Sequence, residues 1–478
     1  MIKCKLGLLI IFILISGKSI GAKESSLTLK EAISLALVNN QDLSRSQDNV
    51  EMSRLNLVAA EKEYQPKIGL ESKTERTEAI NYLSSAANKY TASLNYNWPL
   101  LTFTSGQFTS SADYTITGLS DEDPSTAKIT TNPKIALIWN QPLSKGGRLK
   151  MRSPLIEANK GCTLAQIEHK EFKERLILEV TIRYFNLLKA QKRTEQFRRC
   201  VDVNQSLLEW SKNKLKAGLI PELDVMNVEV KLAQNKDNLI QAEEEEKNNQ
   251  KVMTRLLSLN EESKIIPVEE IEIPSEFKDL HLEKIEDALR NREDIKRLKV
   301  EIEKGEREIL IAKSLNKPTL VIEGGYIWTG EGKTLREGIE DFSVKSWAIS
   351  CKVLWPFFDS SATGNSIKKA QLDYQISKNL LKKLEEDIED EIFTIHQSLK
   401  ASARRINLLS LNLKMAEEML KITQLKYEMG LISIRDLLED QMTVSEINNS
   451  LLEARIDYLI NKDRLLWTYG KIGEEYGF

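Results

Sequence analysis

The chain has 478 residues, of which 41% are hydrophobic and 29% are charged, a composition typical of a folded protein and not of a disordered or collagen-like one. Its 68 Lys and Arg nearly balance its 71 Asp and Glu, so no excess positive charge is available to hold a nucleic-acid backbone. Its four Cys and three His form neither a CxxC nor an HxxxH pair, so the sequence indicates no metal site, disulfide framework or cofactor.

Residues 1–22 have the layout of a signal peptide. Lys3 and Lys5 precede an apolar run over 6–15, and the small residues Gly21 and Ala22 follow it. Such a run rises only about 15 Å as a helix, roughly half of a bilayer core, so an N-terminal anchor is the less favoured alternative. No later apolar run approaches 18 residues. We therefore expect an exported chain that contacts a membrane, if at all, only through β-strands.

Four segments alternate between apolar and polar residues with the two-residue period of a β-strand. They are residues 90–98, 135–139, 320–328 and 347–355. Their aromatic ends are typical of outer-membrane barrel strands with a lipid face and a lumen face, although a soluble, half-buried sheet would alternate as well. Residues 74–131, which have no equally long counterpart in the second half, are interpreted as an extended hairpin and outer-surface loop.

One or two hairpins in each half of the chain cannot close a barrel. Four to six strands per chain would have to combine with the strands of other copies, because unpaired strand edges would otherwise lie in lipid. The membrane interpretation therefore predicts an oligomer.

Two stretches, about 152–216 and 366–427, lack any proline after Pro154 and each predict one helix of roughly 60 residues, on the order of 90 Å long. In the second helix two apolar stripes run side by side at coiled-coil spacing. The first stripe contains Ile406, Leu409, Leu413, Ala416, Leu420, Thr423 and Tyr427. The second stripe contains Leu408, Leu411, Met415, Ile422 and Leu425. Two stripes predict neighbours on both sides, as in helices around a hollow cylinder; a bundle or a dimeric coiled coil is the alternative.

The chain also repeats itself, which predicts two similar halves. The matching segments lie at offsets of 252 and 212 residues, and they are 39–43 with 291–295, Pro66 with Pro318, and 217–220 with 429–432. We interpret residues 23–260 as a first structural repeat and 281–478 as a second. The residues between them, 261–280, form a linker that contains Pro267 and Pro274. Each half is expected to contain shorter helices, a β-hairpin and a long helical hairpin closed at a Gly turn.

These repeated motifs resemble the outer-membrane efflux protein family, the TolC-like trimeric exit ducts. The motifs that carry the resemblance are residues 29–43, Tyr64-Gln65-Pro66, Gln141-Pro142-Leu143, Trp355-Pro356-Phe357, and the turns at Gly218 and Gly430. The resemblance implies a mainly α fold with a β-barrel part. In that fold duplicated long-helix hairpins form a periplasmic α-barrel, and transmembrane strands from three copies form a 12-stranded barrel.

The same resemblance implies a homotrimer in the outer membrane that extends into the periplasm. Its partners would be a periplasmic adaptor (membrane fusion) protein and an inner-membrane transporter. The implied function is the passive exit duct of a tripartite efflux or type I secretion system. An exported periplasmic coiled-coil adaptor or scaffold is the alternative, although such a protein should have a single helical hairpin flanked by compact β-domains. No GxSxG motif or nucleophile spacing occurs, so we do not expect an enzyme.

By position, Asp436 and Glu439 match the acidic pair that surrounds the family's pore constriction. Three copies would bring six carboxylates together and favour cations at the mouth, whereas two exposed helix-surface acids are the alternative. The family's constriction arginine falls at Ile432, which is not basic, and Arg435 lies nearby.

Two further sets of residues are matched by position to the helix tips. Asp224 and Tyr427 correspond to a pair that ties inner to outer helices in similar proteins. The residues of the two turns correspond to adaptor contacts, and they are Gly218, Leu219, Gly430 and Leu431.

Overall fold

A computed structural model describes residues 24–78, 86–100, 106–120, 128–143, 145–260, 263–269, 285–315, 317–342, 344–355 and 362–478. The expected signal peptide, most of the expected linker, and Pro356 and Phe357 lie outside the described residues. The chain divides into two compact units. The first contains residues 1–44, 173–291 and 389–478, and the second contains residues 45–172 and 292–388.

The described chain is mainly helical with one large sheet. The helices are α1 (Leu29–Asn39), α2 (Gln41–Lys62), α3 (Lys145–Lys216), α4 (Glu222–Leu256), α5 (Ile285–Asn291), α6 (Glu293–Leu315), α7 (Leu335–Glu340), α8 (Ala362–Glu428), α9 (Ile434–Thr468) and α10 (Ile472–Tyr476). The strands are β1 (Glu24–Leu27), β2 (Lys67–Glu78), β3 (Ala86–Pro99), β4 (Gln107–Ser120), β5 (Lys128–Pro142), β6 (Lys264–Pro267), β7 (Thr319–Thr329) and β8 (Val344–Leu354).

The two very long helices are confirmed. α3 has 72 residues and includes Pro154 near its start, and α8 has 67 residues. Each long helix is followed by a tight turn and a returning helix of 35 residues, α4 after α3 and α9 after α8. Among the described residues, no helix combines the length and the apolar character that crossing a membrane requires.

The two turns that join these helices have the same backbone geometry. Gly218 and Gly430 adopt φ angles of 72° and 74°, in the left-handed region that favours glycine. In both turns the N–H of the next residue donates to a carbonyl five residues earlier, Leu219 to Lys214 and Leu431 to Lys426, each at 2.9 Å. This is the Schellman pattern of helix termination, so the Gly turns predicted from the repeated sequence are confirmed.

The first stripe of α8 lies against the chain's own helices. Ile406, Ala416 and Tyr427 are buried, and the other members of the stripe are partly buried. On α9 the buried residues include Leu451, Ala454 and Leu465. One of the two stripes predicted from the coiled-coil spacing therefore packs within the chain.

Six strands form one sheet in the order β2-β3-β4-β5-β7-β8, and every neighbouring pair is antiparallel. The four segments predicted as strands lie in β3, β5, β7 and β8. Residues 74–131, interpreted as an extended hairpin and outer-surface loop, contain β3 and β4, which pair with each other over 14 residues. The same range also includes the end of β2 and the start of β5. β2 precedes this pair, so the sheet contains six strands, the upper limit of the four to six expected. A 12-stranded barrel of three copies would use only four per chain.

A small parallel pair, β1 with β6, lies beside α3 in the first unit. β6 falls within residues 261–280. The hydroxyl of Tyr184 on α3 donates to the Leu27 carbonyl at 2.8 Å and accepts from the N–H groups of Val268 and Glu269 at 3.2 and 3.3 Å. Burial, aided by the charge of Glu269, raises the pKa of Tyr184 to about 12, so the phenol stays neutral and keeps these bonds at ordinary pH.

Candidate functional site

The six-stranded sheet has one apolar face, which its register defines. Directly paired residues in an antiparallel sheet lie on the same face, so the pairs can be followed from edge to edge. Three such rows are Trp98–Phe108–Trp139–Gly324–Ile349, Ile68–Tyr96–Ser110–Leu137–Tyr326–Trp347 and Leu70–Leu94–Ala112–Ile135–Trp328–Lys345, of which the last ends at a charged residue on β8. We call this surface the apolar face.

The opposite surface, the polar face, carries mainly polar and charged residues. One of its rows is Glu71–Ser93–Asp113–Lys134–Thr329, and another is Lys73–Thr91–Thr115–Asn132. Both signs of charge occur on it. Apolar residues on one face and polar residues on the other are the arrangement of a strand set between lipid and an aqueous lumen.

The apolar face is exposed in the isolated chain. The exposed fraction is 82% for Leu70 and 72% for both Trp347 and Ile349. Large exposed apolar surfaces are uncommon on soluble monomers and mark contact with a membrane or a protein. This face therefore requires a covering that the described chain does not supply.

The sheet also has two open edges. β2 and β8 each pair on one side only among the described strands, so half of their backbone N–H and C=O groups face outward. Unsatisfied backbone groups in a hydrocarbon environment cost several kcal/mol each. If the apolar face lies in lipid, both edges need a partner strand.

The second stripe of α8 is exposed as well, although it has the same spacing as the buried first stripe. Leu408 is 63% exposed, and the other four residues of this stripe are between 54% and 56% exposed. α4 presents a similar exposed set with the spacing of one helix face, Leu223, Met226 and Val230. Two exposed apolar helix faces on one chain are surfaces of the kind that a further helix can cover.

At the helix tips, α3, α4, α8 and α9 meet in one hydrophobic cluster. Its buried residues are Leu208, Val225, Val228, Leu232, Tyr427, Ile434, Leu437 and Leu438. Ile220 and Ile432, which follow the two Gly turns, pack against it. Ile432 therefore has a packing role, whereas Arg435 is exposed.

Asp436 and Glu439 lie one helical turn apart on the exposed face of α9. Asp436 is also part of a capping box: its carboxylate accepts from the Ser433 N–H at 3.1 Å and from the Ser433 hydroxyl at 2.9 Å. The acidic pair is therefore placed together and open to solvent, and one of its members also holds the first turn of the helix.

Tyr427 and Asp224 are brought near each other, as expected from their positions. Burial raises the pKa of Tyr427, the charge of Asp224 raises it further, and the nearby Ser211 hydroxyl acts in the opposite direction. The ring of Tyr427 packs on Trp210, with ring centroids 5.3 Å apart. The described contacts include no hydrogen bond between Tyr427 and Asp224, so the pair is coupled by charge.

Trp210 and Lys214 are members of this tip that sequence reasoning missed. The ammonium group of Lys214 lies 3.8 Å from the Trp210 ring centroid and 5.6 Å from that of Tyr427, within cation–π distance of both. The i, i+4 spacing of an aromatic residue and a lysine near the end of a predicted helix was the available signal.

The tips themselves present apolar side chains to solvent. Leu219 and Leu431 are each 70% exposed, and each follows its Gly turn. The four predicted turn residues thus lie at the ends of the two helical hairpins. No three His, Cys, Asp or Glu residues within the described ranges lie close enough together to hold a metal ion.

Comparison with known proteins agrees with this architecture. Residues 284–470 match the family model described as outer membrane efflux protein. The outer membrane protein TolC of Vibrio cholerae is 20% identical over 319 residues, which cover 66% of this chain and 73% of that protein.

Solved structures with similar folds are also outer-membrane channels. The structure of CusC, from work on folding and transmembrane channel formation, matches with a TM-score of 0.72 and 14% identity, covering 95% of both chains. The outer membrane protein VceC of Vibrio cholerae matches with a TM-score of 0.71 and 15% identity, covering 92% of this chain and 96% of that one. The resemblance to outer-membrane efflux proteins and the mixed helical and β fold are confirmed.

Proposed function

We propose that this protein is a passive exit duct in the outer membrane, which conducts solutes out of the periplasm as part of a tripartite efflux or type I secretion system. The observation that carries the proposal is the pair of exposed apolar surfaces on one chain, the apolar face of the sheet and the second stripe of α8. A sheet with an apolar and a polar face suits lipid on one side and water on the other. A helix with apolar stripes on two sides can pack against one helix on each side, as helices in a ring do.

Three copies would complete both parts. Each chain supplies four long helices, α3, α4, α8 and α9, so three chains supply twelve. Packing the second stripe of α8 against the exposed face of α4 in the next copy would cover both surfaces. The two halves, 23–260 and 281–478, would then act as equivalent wall units of the tube, and residues 1–22 would direct export.

The helix tips are proposed as the periplasmic mouth. Asp436 and Glu439, exposed on the same face of α9, would form a ring of six carboxylates and favour cations there. Tyr427 and Asp224 would hold neighbouring helices together below this ring. The exposed Leu219 and Leu431 would meet a periplasmic adaptor that couples the duct to an inner-membrane transporter. No residue is assigned covalent chemistry.

Fractionation and native mass test the proposal. We expect the protein in the outer-membrane fraction, soluble only with detergent, with the mass of a trimer of its 54.6 kDa chain or of its processed form. A water-soluble monomer in the periplasmic fraction would exclude the duct and favour an exported coiled-coil scaffold.

The acidic ring is tested separately by planar-bilayer conductance. Asp436→Asn with Glu439→Gln should lower the preference for cations, because the carboxylates are removed while side-chain size is kept. Since Asp436 also caps α9, Ser433→Ala is the matched control: it removes the cap hydroxyl without changing charge. Unchanged selectivity in the double variant, or an equal loss in Ser433→Ala, would contradict the ring assignment.

A further inference from the structure

The membrane sheet of this chain has two strands more than a 12-stranded trimeric barrel would use, and these strands are integrated into the sheet. Between α2 and α3 lie four strands, β2 to β5, and between α6 and α8 lie two, β7 and β8. We propose that three copies close an 18-stranded barrel, in which β2 of each chain pairs with β8 of the next. The inference rests on the proposed function as a trimeric duct.

Continuity of the two faces is the first argument. If β2 and β3 or β3 and β4 projected away from the barrel as an outer hairpin, their apolar residues would not continue the rows of the other strands. Instead Ile68 begins a row that ends at Trp347, and Leu70 begins a row that runs through Trp328 to Lys345 at the edge of β8. The apolar face therefore covers all six strands, as expected if all six lie in the barrel wall.

Strand direction is the second argument. Five successive antiparallel pairings separate β2 from β8, so the two edge strands run in opposite directions. A rotation about the barrel axis preserves direction along the axis. β8 of one copy and β2 of the next are therefore antiparallel, which an odd number of strands per chain would not allow.

The edges also match in length. β2 has 12 residues and β8 has 11, and both adjoin the helices at one end of the sheet, since β2 follows α2 and β8 precedes α8. Each edge needs a partner for its outward backbone groups in lipid. A second copy of this chain offers one of the right length and direction.

The register predicts a plausible barrel geometry. The row that starts at Lys67, the first residue of β2, ends at Ala348, six residues before the end of β8 at Leu354. Placing the helix-side ends of β8 and the next β2 level gives one residue of stagger per strand. With a rise of about 3.3 Å and a strand spacing of about 4.8 Å, the strands tilt by about 35°, at the lower end of the range for closed barrels.

This alignment sets residue pairs across the subunit boundary. Cys351 of one copy lies opposite Leu70 of the next, and both belong to the apolar face. The exposed Ile349 lies opposite Ser72. Because barrel diameter increases roughly in proportion to strand number, the barrel would be about 1.5 times as wide as one of twelve strands. The outer-membrane end would admit larger solutes and would leave the selection of cargo to the helical tips.

Disulfide trapping in the full-length protein tests the edge pairing. Cys351 is exposed, so it serves as one arm after Cys4→Ser, Cys162→Ser and Cys200→Ser. The second arm is Leu70→Cys, with Ile68→Cys and Ser72→Cys to cover a shift of two residues. With a membrane-permeable oxidant we expect cross-linked dimers and trimers on denaturing gels. Their yield should be several-fold higher than for the chain that carries Cys351 without a second arm, because paired Cα atoms lie within about 7 Å.

Ala112→Cys is the matched control, because it lies in the same row as Leu70 and is exposed but has β3 and β5 on its two sides. It should give no cross-link. Electron cryo-microscopy of the detergent-solubilised protein then counts the strands directly. Eighteen strands and cross-linking at 68, 70 or 72 support the inference. A trimer with twelve strands, or one that forms no cross-link at any of these positions, overturns the 18-stranded barrel but not the proposed function as a duct. A monomer overturns the proposed function itself.

Discussion

The two stripes of α8 have the same coiled-coil spacing but opposite environments. The first, with Ile406 at 4% exposed, is packed by the chain's own helices, whereas the second, with Leu411 at 56% exposed, is open. Periodicity reports that a face needs a partner but not which chain provides it. An exposed stripe beside a buried one therefore marks a surface that the single chain does not cover and that an assembly can use as a contact.

The largest effect is expected at the open stripe. Leu411→Glu with Ile422→Glu would place two charges in each proposed subunit contact, where burying an unpaired charge is costly. We expect the trimer to dissociate, with helix content by circular dichroism unchanged. Native mass measures the outcome. Asn412→Glu with Gln424→Glu adds the same charge to exposed positions of α8 outside the stripe and should leave the trimer intact. If both double variants stay trimeric, the open stripe is not a contact.

At the closed stripe, Ile406→Ala should lower the free energy of unfolding by about 2–5 kcal/mol, the usual cost of a cavity at a buried aliphatic position. Denaturant unfolding of the chain in detergent measures this change. Leu411→Ala is the comparison at the open stripe, and in a dissociated chain it should cost much less. If Ile406→Ala and Leu411→Ala lowered the free energy of unfolding equally in the dissociated chain, the two stripes would not differ in how well they are packed.

A third test concerns an ionisable side chain that is buried within the single chain. Asp463 on α9 is 4% exposed and accepts a hydrogen bond from the Tyr476 hydroxyl at 3.0 Å. Burial raises its pKa from 3.8 to about 6, so the folded state binds the proton more tightly than the unfolded state. This contribution to stability is present below about pH 4 and is lost as the pH rises through about 6.

Asp463→Asn should remove this part of the pH dependence and raise the free energy of unfolding at pH 7.5 by about 2–3 kcal/mol. Chemical denaturation between pH 4 and 7.5 measures the difference from the unsubstituted chain. Asp457→Asn, at an exposed position of the same helix, should leave the profile unchanged. A slope that persists in Asp463→Asn would assign the effect to other groups.

The smallest effects are expected at the turns that bring the stripes into place. Gly218→Ala and Gly430→Ala meet no neighbouring atom, so only the left-handed backbone opposes them, at about 1 kcal/mol each. Gly161→Ala, in the interior of α3 with equally open space, should instead stabilise the chain by roughly 0.5–1 kcal/mol. Thermal unfolding distinguishes the signs. Stabilisation at either turn would show that the turn is not held in its described conformation.

Much of this architecture was readable from the sequence where patterns were long. The stripes of α8 extend over 20 residues, and the alternation from Tyr90 to Trp98 is unbroken, so the helix and β3 were predicted. β2 was missed because only Ile68 and Leu70 give its apolar face before polar residues follow. β4 was expected only as part of the hairpin in 74–131 and not as a separate alternating segment, because Ser110 interrupts its apolar face. A strand that continues its neighbours' rows needs fewer apolar residues of its own.

The candidate gate was predictable only in part. Position relative to the Gly turns identified Asp436, but its bond to Ser433 required recognition of a capping box with Asp in place of Glu. The aromatic contact of Trp210 with Tyr427 joins residues 217 positions apart, and no local pattern reports a contact at that distance along the chain.

The uninterrupted antiparallel order of the sheet limits how such a chain can change during evolution. Gaining or losing one strand would make the two edge strands parallel and send the following helix to the wrong side of the membrane. Only an insertion or deletion of a whole hairpin keeps every later segment where it was. In the proposed trimeric duct, the width of the pore is therefore expected to vary in discrete steps, six strands of the assembled ring at a time.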